Sequence, residues 1–350
     1  MAKRKKLTKT QTRRIQANLQ KCLENRKSKG FIDDLSNEQF GPQEPGVVIS
    51  RFGQHADIQG ENGDIVRCNI RRAIDNLVCG DHVEWRRAKN LESENDIAGV
   101  VVAVHERQSV LIRPDAYDGI KPVAANIDQL WVVSAILPAL TPSIIDRYIV
   151  AAEEMGMQPI LVLNKIDLIT PDIKDIVDET MDAYRELGYE VVYISTKTQE
   201  GMENVTSKLK DKVNLFVGQS GVGKSSLVNA IYPESNILTQ IVSENSGLGQ
   251  HTTTVARLHQ LPQGGQLIDS PGVREFSLWH LSQDQILNGF IEFRDLIGCC
   301  RFRDCQHKND PGCALIEAVD AGKISEARFD SYQRIIESLA NKPTGRKFEK

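Results

Sequence analysis

Apolar runs separated by polar and Gly-rich segments divide the sequence into regions of different periodicity. Within residues 47–112, short runs rich in β-branched residues recur at Val47–Ile49, Ile65–Cys68, His82–Trp85 and Val100–Val104. Short strands at this spacing, punctuated by glycines, are typical of a small β-barrel. We expect an oligonucleotide-binding-type (OB-like) barrel, with an SH3-like barrel as the alternative.

From about residue 113, strand-like runs alternate with helix-like segments. The runs Leu130–Val133, Pro159–Leu163 and Val191–Ile194 are predicted to be buried strands. Helices are predicted to begin at Thr141-Pro142 and Thr170-Pro171, with Thr as N-cap and Pro at the first helical position. The predicted apolar face of the second helix comprises Ile173, Ile176, Val177, Met181, Tyr184 and Leu187. This alternation predicts a parallel α/β sheet, covered on both faces, with its binding site at the carboxyl ends of the strands.

The two ends of the chain have different patterns. Gly41–Gly46 is rich in Gly and Pro, which predicts a linker after a polar arm. The carboxyl-terminal part is predicted to be mainly helical, with one helix starting near Ser325. The predicted organisation is a basic arm and linker (1–45), an OB-like β-barrel (46–112), an α/β domain (113–280) and a helical tail (281–350).

Charge is spread unevenly along the 350 residues. The net charge is -4, but residues 1–30 hold eleven Lys/Arg and one acid, which places +10 on the arm and -14 on the rest. A basic arm indicates a polyanionic partner, most commonly nucleic acid, although a solubilising tail is the alternative. The basic start lacks a following apolar segment, and no run approaches the ~18–20 residues of a membrane span. We therefore expect a cytoplasmic protein with no membrane partner.

A phosphate-binding motif lies between a predicted strand, Asn214–Val217, and a predicted helix, Ser226–Ile231. The segment from Gly218 to Ser225 fits the pattern G-x-x-x-x-G-K-S/T. Its glycines let backbone N–H groups face phosphate oxygens, Lys224 would reach the outer phosphates, and Ser225 would bind Mg²⁺. The residues predicted to bind nucleotide here are Gly218, Gln219, Ser220, Gly221, Val222, Gly223, Lys224, Ser225 and Ser226.

A guanine-reading motif, Asn164-Lys165-Ile166-Asp167, follows the predicted strand Pro159–Leu163. The Asp167 carboxylate can accept hydrogen bonds from N1–H and the exocyclic amine of guanine, whereas adenine offers neither at these positions. Asn164 can bond the other purine edge, and Lys165 can lie along the ring. Ser195-Thr196, after the next strand, resembles the loop that supports the guanine carbonyl. The motif favours GTP and argues against a P-loop ATPase or kinase.

Asp269-Ser270-Pro271-Gly272 fits the pattern D-x-x-G. Asp269 would hold Mg²⁺ through water, and the Gly272 amide would contact the γ-phosphate. The polar, Gly-rich segment 246–254 precedes it and supplies a second Mg²⁺ ligand, Thr252 or Thr253.

The residue that handles the attacking water is not the one found in Ras-like proteins. Val273 stands where those proteins carry a Gln, and a Val cannot orient water. We predict His251 as the catalytic residue, because its imidazole can orient or accept a proton from water near neutral pH. Arg274 is a less favoured alternative, as a charge stabiliser.

A cluster of cysteines and a histidine precedes the last helix. Cys300, Cys305, His307 and Cys313 offer three thiolates and one imidazole, which suits a structural tetrahedral zinc site. A group of reduced core cysteines is the alternative. Cys299 could compete with Cys300 as the ligand.

The order of the motifs, with the guanine motif before the phosphate loop, resembles the bacterial RsgA (YjeQ) family of circularly permuted GTPases that act on the small ribosomal subunit. Gly247-Leu248-Gly249-Gln250-His251-Thr252-Thr253 and Asp269-Ser270-Pro271-Gly272-Val273-Arg274-Glu275-Phe276 carry the same likeness. The resemblance covers nearly the whole chain, including the barrel and the tail.

The resemblance implies one zinc ion at the four matching positions, binding of GTP and GDP with Mg²⁺, and hydrolysis stimulated by the small subunit. It also implies contact with ribosomal RNA and a role in late maturation of that subunit. We expect a monomer. A protein of another class remains as the alternative, a nucleic-acid-binding regulator that senses GTP without significant turnover.

Overall fold

A five-stranded barrel forms the amino-terminal part of the computed structural model, which describes residues 40–89, 97–115, 119–233, 256–269, 278 and 281–340. Its strands are β1 (Phe40–Phe52), β2 (His55–Gly60), β3 (Ile65–Ile70), β4 (His82–Ala88) and β5 (Gly99–Val104). They follow the order β1-β2-β3-β5-β4, and β4 pairs back onto β1. The β3–β5 pair is parallel and the other four pairs are antiparallel. The predicted barrel is confirmed.

The barrel begins earlier than its composition indicates. The prediction of a linker at Gly41–Gly46 is wrong, because these residues belong to β1 and pair with β4. Gly46 is needed there, since a Cβ would lie 2.7 Å from Ile58 Cγ2 and 2.9 Å from Trp85 Cδ1. The Trp85 indole N–H donates to the Pro45 carbonyl at 3.3 Å. Gly46 and Pro45 thus let the buried Trp85 ring pack against the strand. Residues 1–39 of the predicted arm lie outside the described residues.

A short hairpin, β6 (Val110–Asp115) and β7 (Gly119–Ala125), connects the barrel to the next sheet, and the predicted domain boundary at residue 112 falls within β6. The barrel is held to this connection at Asp81, which is fully buried. Arg107 donates to both carboxylate oxygens of Asp81 at 2.7 and 2.8 Å. The Asn126 amide donates to the Gly80 carbonyl at 2.9 Å. These contacts fix the barrel relative to the connecting hairpin.

The central sheet contains the strands β8 (Gln129–Ala135), β9 (Gln158–Asn164), β10 (Glu190–Tyr193), β11 (Val213–Val217), β12 (Arg257–Gln260) and β13 (Gln266–Asp269). Their order is β10-β9-β8-β11-β13-β12, and every pair except β12–β13 is parallel. The predicted parallel sheet is confirmed, and all seven residues of β8 are buried. The carboxyl ends of the parallel strands therefore share one edge of the sheet.

Among the described residues of this domain, four helices cover the two faces of the sheet: α1 (Pro142–Met155), α2 (Pro171–Glu186), α3 (Met202–Leu209) and α4 (Lys224–Ile231). Buried residues of α1 and α2 belong to one apolar cluster, and those of α3 and α4 to a second. The predicted starts at Thr141 and Thr170 are confirmed. Ile176 is predicted to lie on the apolar face of α2 but is 65% exposed. Burial is instead limited to Val177, Met181 and Tyr184, which lie on a narrower stripe.

The barrel and the central sheet are joined edge to edge. Strand β12 pairs antiparallel with β1 at Ser50 and Arg257, which makes the two parts one eleven-stranded sheet. The Gln260 amide donates to Gln59 Oε1 of β2 at 2.7 Å. Strand β12 therefore lies between the α/β domain and the barrel.

The tail packs its helices against α1. Its elements are α5 (Gln283–Gly289), a 3-10 helix (Ile291–Leu296), α6 (Ala314–Asp320) and α7 (Glu326–Ala340). Both α5 and α7 contact α1. The rings of Phe290 and Phe293 stack with centroids 4.9 Å apart, and Tyr332 of α7 meets both edge-on. In the described part of the chain, none of the helices has the length and apolar character needed to cross a membrane.

Candidate nucleotide site and Cys3His cluster

The phosphate-type loop follows β11 and leads into α4, as the sequence predicts. Gly218 and Gly223 have positive φ angles, +144° and +95°. A Cβ at Gly218 would lie 2.1 Å from the Val133 carbonyl oxygen, and one at Gly223 would lie 2.4 Å from Asn164 Nδ2. The Lys224 ammonium donates to the carbonyls of Gly218 and Gln219 at 2.6 and 2.5 Å. The loop therefore needs glycine at both positions and curls around the Lys224 ammonium.

Asn164, the last residue of β9, joins three loops through one buried side chain. Its amide nitrogen donates to the Val222 carbonyl at 2.9 Å. Its amide oxygen accepts from the backbone N–H of Lys165 at 2.8 Å and of Thr196 at 3.2 Å. The amide has a second N–H, so a further acceptor can be bound. Asn164 thus sets the spacing between the guanine motif, the phosphate loop and the Ser195-Thr196 loop.

Asp167 is held by the loop after β10. The buried Ser195 hydroxyl donates to Asp167 Oδ1 at 2.6 Å, and the Thr198 N–H donates to the Ser195 hydroxyl at 3.1 Å. Lys197 Nζ lies 3.9 Å from Asp167 Oδ2. The Asp167 side chain is 16% exposed. A carboxylate has about four acceptor positions, so it can still accept hydrogen bonds from a base edge.

Lys165 connects the guanine motif to a segment that the sequence did not single out. Its ammonium donates to the carbonyls of Leu137 and Gly221, both at 2.6 Å. Leu137 lies between β8 and α1, and the residues that follow it, Pro138–Thr141, line a small apolar cavity together with Gln219 and Val222. Recognition of the Leu137 carbonyl does not depend on its side chain, so the sequence carries no signal for it.

Four of the predicted site elements meet at one edge of the sheet. Asn164, Ser195, Gly218 and Asp269 lie at the carboxyl ends of β9, β10, β11 and β13, which are consecutive or near neighbours in the sheet. The other predicted residues His251, Thr252, Thr253 and Gly272, together with Val273 and Arg274, lie outside the described residues.

Cys300, Cys305, His307 and Cys313 form a tight group whose ligand atoms all lie within 4.8 Å of one another. The three sulfurs lie 3.6, 3.5 and 3.4 Å from His307 Nδ1. Tetrahedral zinc with bonds of roughly 2.3 Å to sulfur and 2.0–2.1 Å to nitrogen separates S and N by about 3.6 Å. The donor set and its spacing therefore fit zinc.

The surroundings of the group favour a ligating histidine. Desolvation lowers the pKa of His307, which keeps the imidazole neutral, the form that binds a metal. Asp310 Oδ2 accepts from the N–H groups of Gln306 and Lys308 at 3.1 and 3.2 Å and shapes the turn. Cys299 Sγ is exposed and lies 3.6 Å from the Asp295 carbonyl, outside the group. The geometry thus selects Cys300 over Cys299.

The fold and the site together define a P-loop GTPase whose motifs are circularly permuted, because the Asn164–Asp167 motif at the end of β9 precedes the phosphate loop after β11. A family model described as RsgA GTPase matches residues 104–279. The Small ribosomal subunit biogenesis GTPase RsgA of Shewanella oneidensis is 55% identical over 348 residues, which cover 99% of this chain and 98% of that protein.

Solved structures show the same likeness. YjeQ from Thermotoga maritima is 31% identical with a TM-score of 0.68, covering 86% of this chain and all of that chain. YloQ, described as a circularly permuted GTPase, is 27% identical with a TM-score of 0.67, covering 87% and 98%. The chain belongs to the RsgA GTPase family, and it is a GTPase.

Proposed function

We propose that this GTPase binds the small ribosomal subunit, assists its late maturation, and hydrolyses GTP faster when the subunit is bound. The observation that carries the proposal is the 55% identity, over nearly the full length of both chains, to a protein named a small ribosomal subunit biogenesis GTPase. The permuted motif order and the tail cluster agree with that relationship.

GTP would lie along the strand edge, with its base at the Asp167 loop and its phosphates at the phosphate loop. Asp167 would accept from the guanine N1–H and amine, held in place by Ser195, while Thr196 would support the guanine carbonyl. The loop N–H groups from Gly218 to Gly223 would face the phosphates. The Lys224 ammonium, which now binds loop carbonyls, would turn toward the outer phosphates.

Mg²⁺, when bound, would neutralise charge on the β- and γ-phosphates. Ser225 sits in the first turn of α4, where its hydroxyl is a suitable ligand, and one of Thr252 and Thr253 would supply the second. Asp269 ends β13 beside the phosphate-loop strand, which suits a water-mediated contact. The Gly272 amide would then contact the γ-phosphate.

His251 is the proposed catalytic residue, and its replacement by Ala is expected to spare GTP binding. Subunit-stimulated turnover should fall by about 10²-fold or more, which is the range for losing a general base. Both are measured on one preparation, by nucleotide binding and by phosphate release with small subunits present. Gln250→Ala, at the neighbouring position, is the control. Stimulated turnover that is unchanged in His251→Ala removes His251 from the mechanism.

Zinc is the proposed occupant of the Cys3His group, with Cys300, Cys305, His307 and Cys313 as ligands. Four protein ligands complete a tetrahedral shell, so the role would be structural. Beside this group, Arg301 lies over the Phe302 ring at 5.5 Å, and Phe302 is 46% exposed. A cation beside an exposed aromatic ring is a surface that suits single-stranded RNA.

The barrel is the second proposed RNA contact. Its closed strand order with a parallel β3–β5 pair supports an OB-type rather than an SH3-like barrel. Arg67 lies over the Phe52 ring at 5.5 Å on its outer surface. Together with the basic arm, barrel and tail would hold ribosomal RNA, and RNA affinity would fall as salt rises. We propose a cytoplasmic monomer. Its functional units are the basic arm before Phe40, the barrel of β1–β5 (Phe40–Val104), the GTPase domain that follows it and the tail (281–350).

The proposal is tested by measuring GTP turnover of the chain alone and with purified small subunits. We expect stimulation of at least about tenfold, well within what a partner can add to a GTPase. Large subunits serve as the control. Binding to small subunits without any stimulation favours instead a nucleic-acid-binding regulator that senses GTP. Binding to neither subunit contradicts both functions.

A further inference from the structure

A buried charge network joins the GTPase domain to the tail. Arg328 of α7 donates to Asp146 Oδ1 of α1 at 2.5 Å and to both carboxylate oxygens of Glu292, in the 3-10 helix, at 2.7 and 3.1 Å. Their side chains are only 5%, 1% and 9% exposed. Tyr184 of α2 donates to Asp146 at 2.7 Å, and the Arg328 guanidinium lies over the Phe290 ring at 4.5 Å.

One end of this network reaches the nucleotide site. Asp146 follows Ile144 and Ile145, which with Tyr148 line the apolar cavity beside Gln219 and Val222 of the phosphate loop. Helix α1 therefore lines the cavity beside the phosphate loop with one side and contacts Arg328 with another. A shift of α1 would change the packing beneath that loop.

The other end of the network reaches the metal cluster. On α7, Tyr332 presents its ring edge to the His307 ring, with centroids 6.4 Å apart. The next residue, Gln333, donates from its side-chain amide to the His307 carbonyl. Helix α7 thus carries Arg328 and also contacts the Cys3His group, so one rigid element links the two.

Stability alone does not account for these side chains. Two carboxylates share one guanidinium out of water, and burial raises the pKa of Asp146 although Arg328 opposes this. Apolar side chains of similar volume at such places are often as stable or more stable. Unlike apolar side chains, a planar guanidinium binds its partners at fixed angles, so it fixes their orientation relative to one another.

We propose that Arg328 is a positioning residue for GTP turnover: it fixes α1, and through α1 the phosphate loop, to the helix that holds the Cys3His cluster. Docking of the tail and the geometry of the nucleotide site are then coupled, so that each changes the other. The inference needs only that the chain hydrolyses GTP. It does not depend on the ribosomal partner, and it is tested without ribosomes.

The test compares Arg328→Met with the triple variant Asp146→Leu, Glu292→Leu, Arg328→Met. The single change leaves two buried carboxylates without their cation and should lower both the melting temperature and kcat. The triple variant should regain the melting temperature, because no unpaired charge remains. Its basal kcat should stay reduced by about 3- to 30-fold, the usual range for residues that couple sites, with little change in KM. Recovery of kcat together with the melting temperature overturns the proposal.

Two further measurements separate positioning from packing. Arg294→Met removes an exposed ion pair to Glu153 in the same interface and should leave kcat unchanged. Hydrogen exchange in α7 should differ between the GDP-bound and GTP-analogue-bound wild type, and the triple variant should lose this difference. Arg328→Lys, which keeps the charge but not the fork, should reproduce the loss of kcat. Identical exchange in α7 with both nucleotides in the wild type contradicts the coupling, whatever the variants show.

Discussion

Replacing Asp167 by Asn is expected to change the preferred base from guanine to xanthine. The carboxylate accepts two N–H groups from guanine, and an amide at the same place instead matches the carbonyl that xanthine carries in place of the amine. Ser195 fixes Asp167 Oδ1 at 2.6 Å, so the substituted side chain stays aimed in the same direction. Affinity for GDP should fall by at least about 100-fold, because a buried polar mismatch is costly. Titrations with GDP and with XDP measure the loss of affinity for the first nucleotide and the gain for the second.

The control for this exchange is Asp172→Asn, which alters an exposed acid in the first turn of α2 without touching the base loop. Its affinity for GDP should equal that of the wild type. If Asp167→Asn weakens GDP and XDP equally, the substitution has displaced the loop, and Asp167 does not read the base.

Replacing Cys305 by Ser is expected to abolish metal binding by the tail and to disorder much of the segment that holds the metal. The segment 297–313 contains short turns but no helix or strand, so metal binding supplies folding free energy there, on the order of 10 kcal/mol. Zinc should fall from one per chain to a small fraction, and the melting temperature should drop by more than about 4 °C. Metal content, thermal unfolding and limited proteolysis after residue 296 report these effects.

Cys299→Ser provides the matched control, since it removes a neighbouring thiol that lies outside the group. It should keep one zinc per chain and the melting temperature of the wild type. Loss of metal in Cys299→Ser, or full retention of metal in Cys305→Ser, would contradict the assignment of the four ligands.

The sequence predicts those parts of the fold that depend on local chemistry. Thr141-Pro142 begins α1 and Gly156, with φ of 71°, ends it, because the cap and the proline act within one turn. Less of the barrel could be predicted. Strand β1 contains Pro45 and Gly46, which are typical of a linker. Only their packing against Trp85 shows why a strand carries them, and that packing cannot be seen in the sequence. Strand β12 could not be predicted, because it is only four residues long and is defined by its pairing partners.

The site, like the fold, has parts that the sequence predicts and parts that it does not. Its motifs are side-chain patterns that occur together along the chain, so Gly218–Ser225 and Asn164–Asp167 can be found from the amino-acid sequence alone. The link between Asp146 and Arg328 cannot, because 182 residues separate them and neither lies in a motif. A buried ion pair leaves no periodic pattern in the sequence, because its two residues meet only when the fold brings their helices together.

The join between β12 and β1 has a consequence for how this protein can be divided. A fragment that began after the barrel would leave β12 as an open edge, with backbone N–H and C=O groups ready to pair with another chain. In the intact chain, β1 of the barrel pairs with β12 and covers that edge. Barrel and GTPase domain are therefore better regarded as one folding unit than as modules that could be shuffled separately.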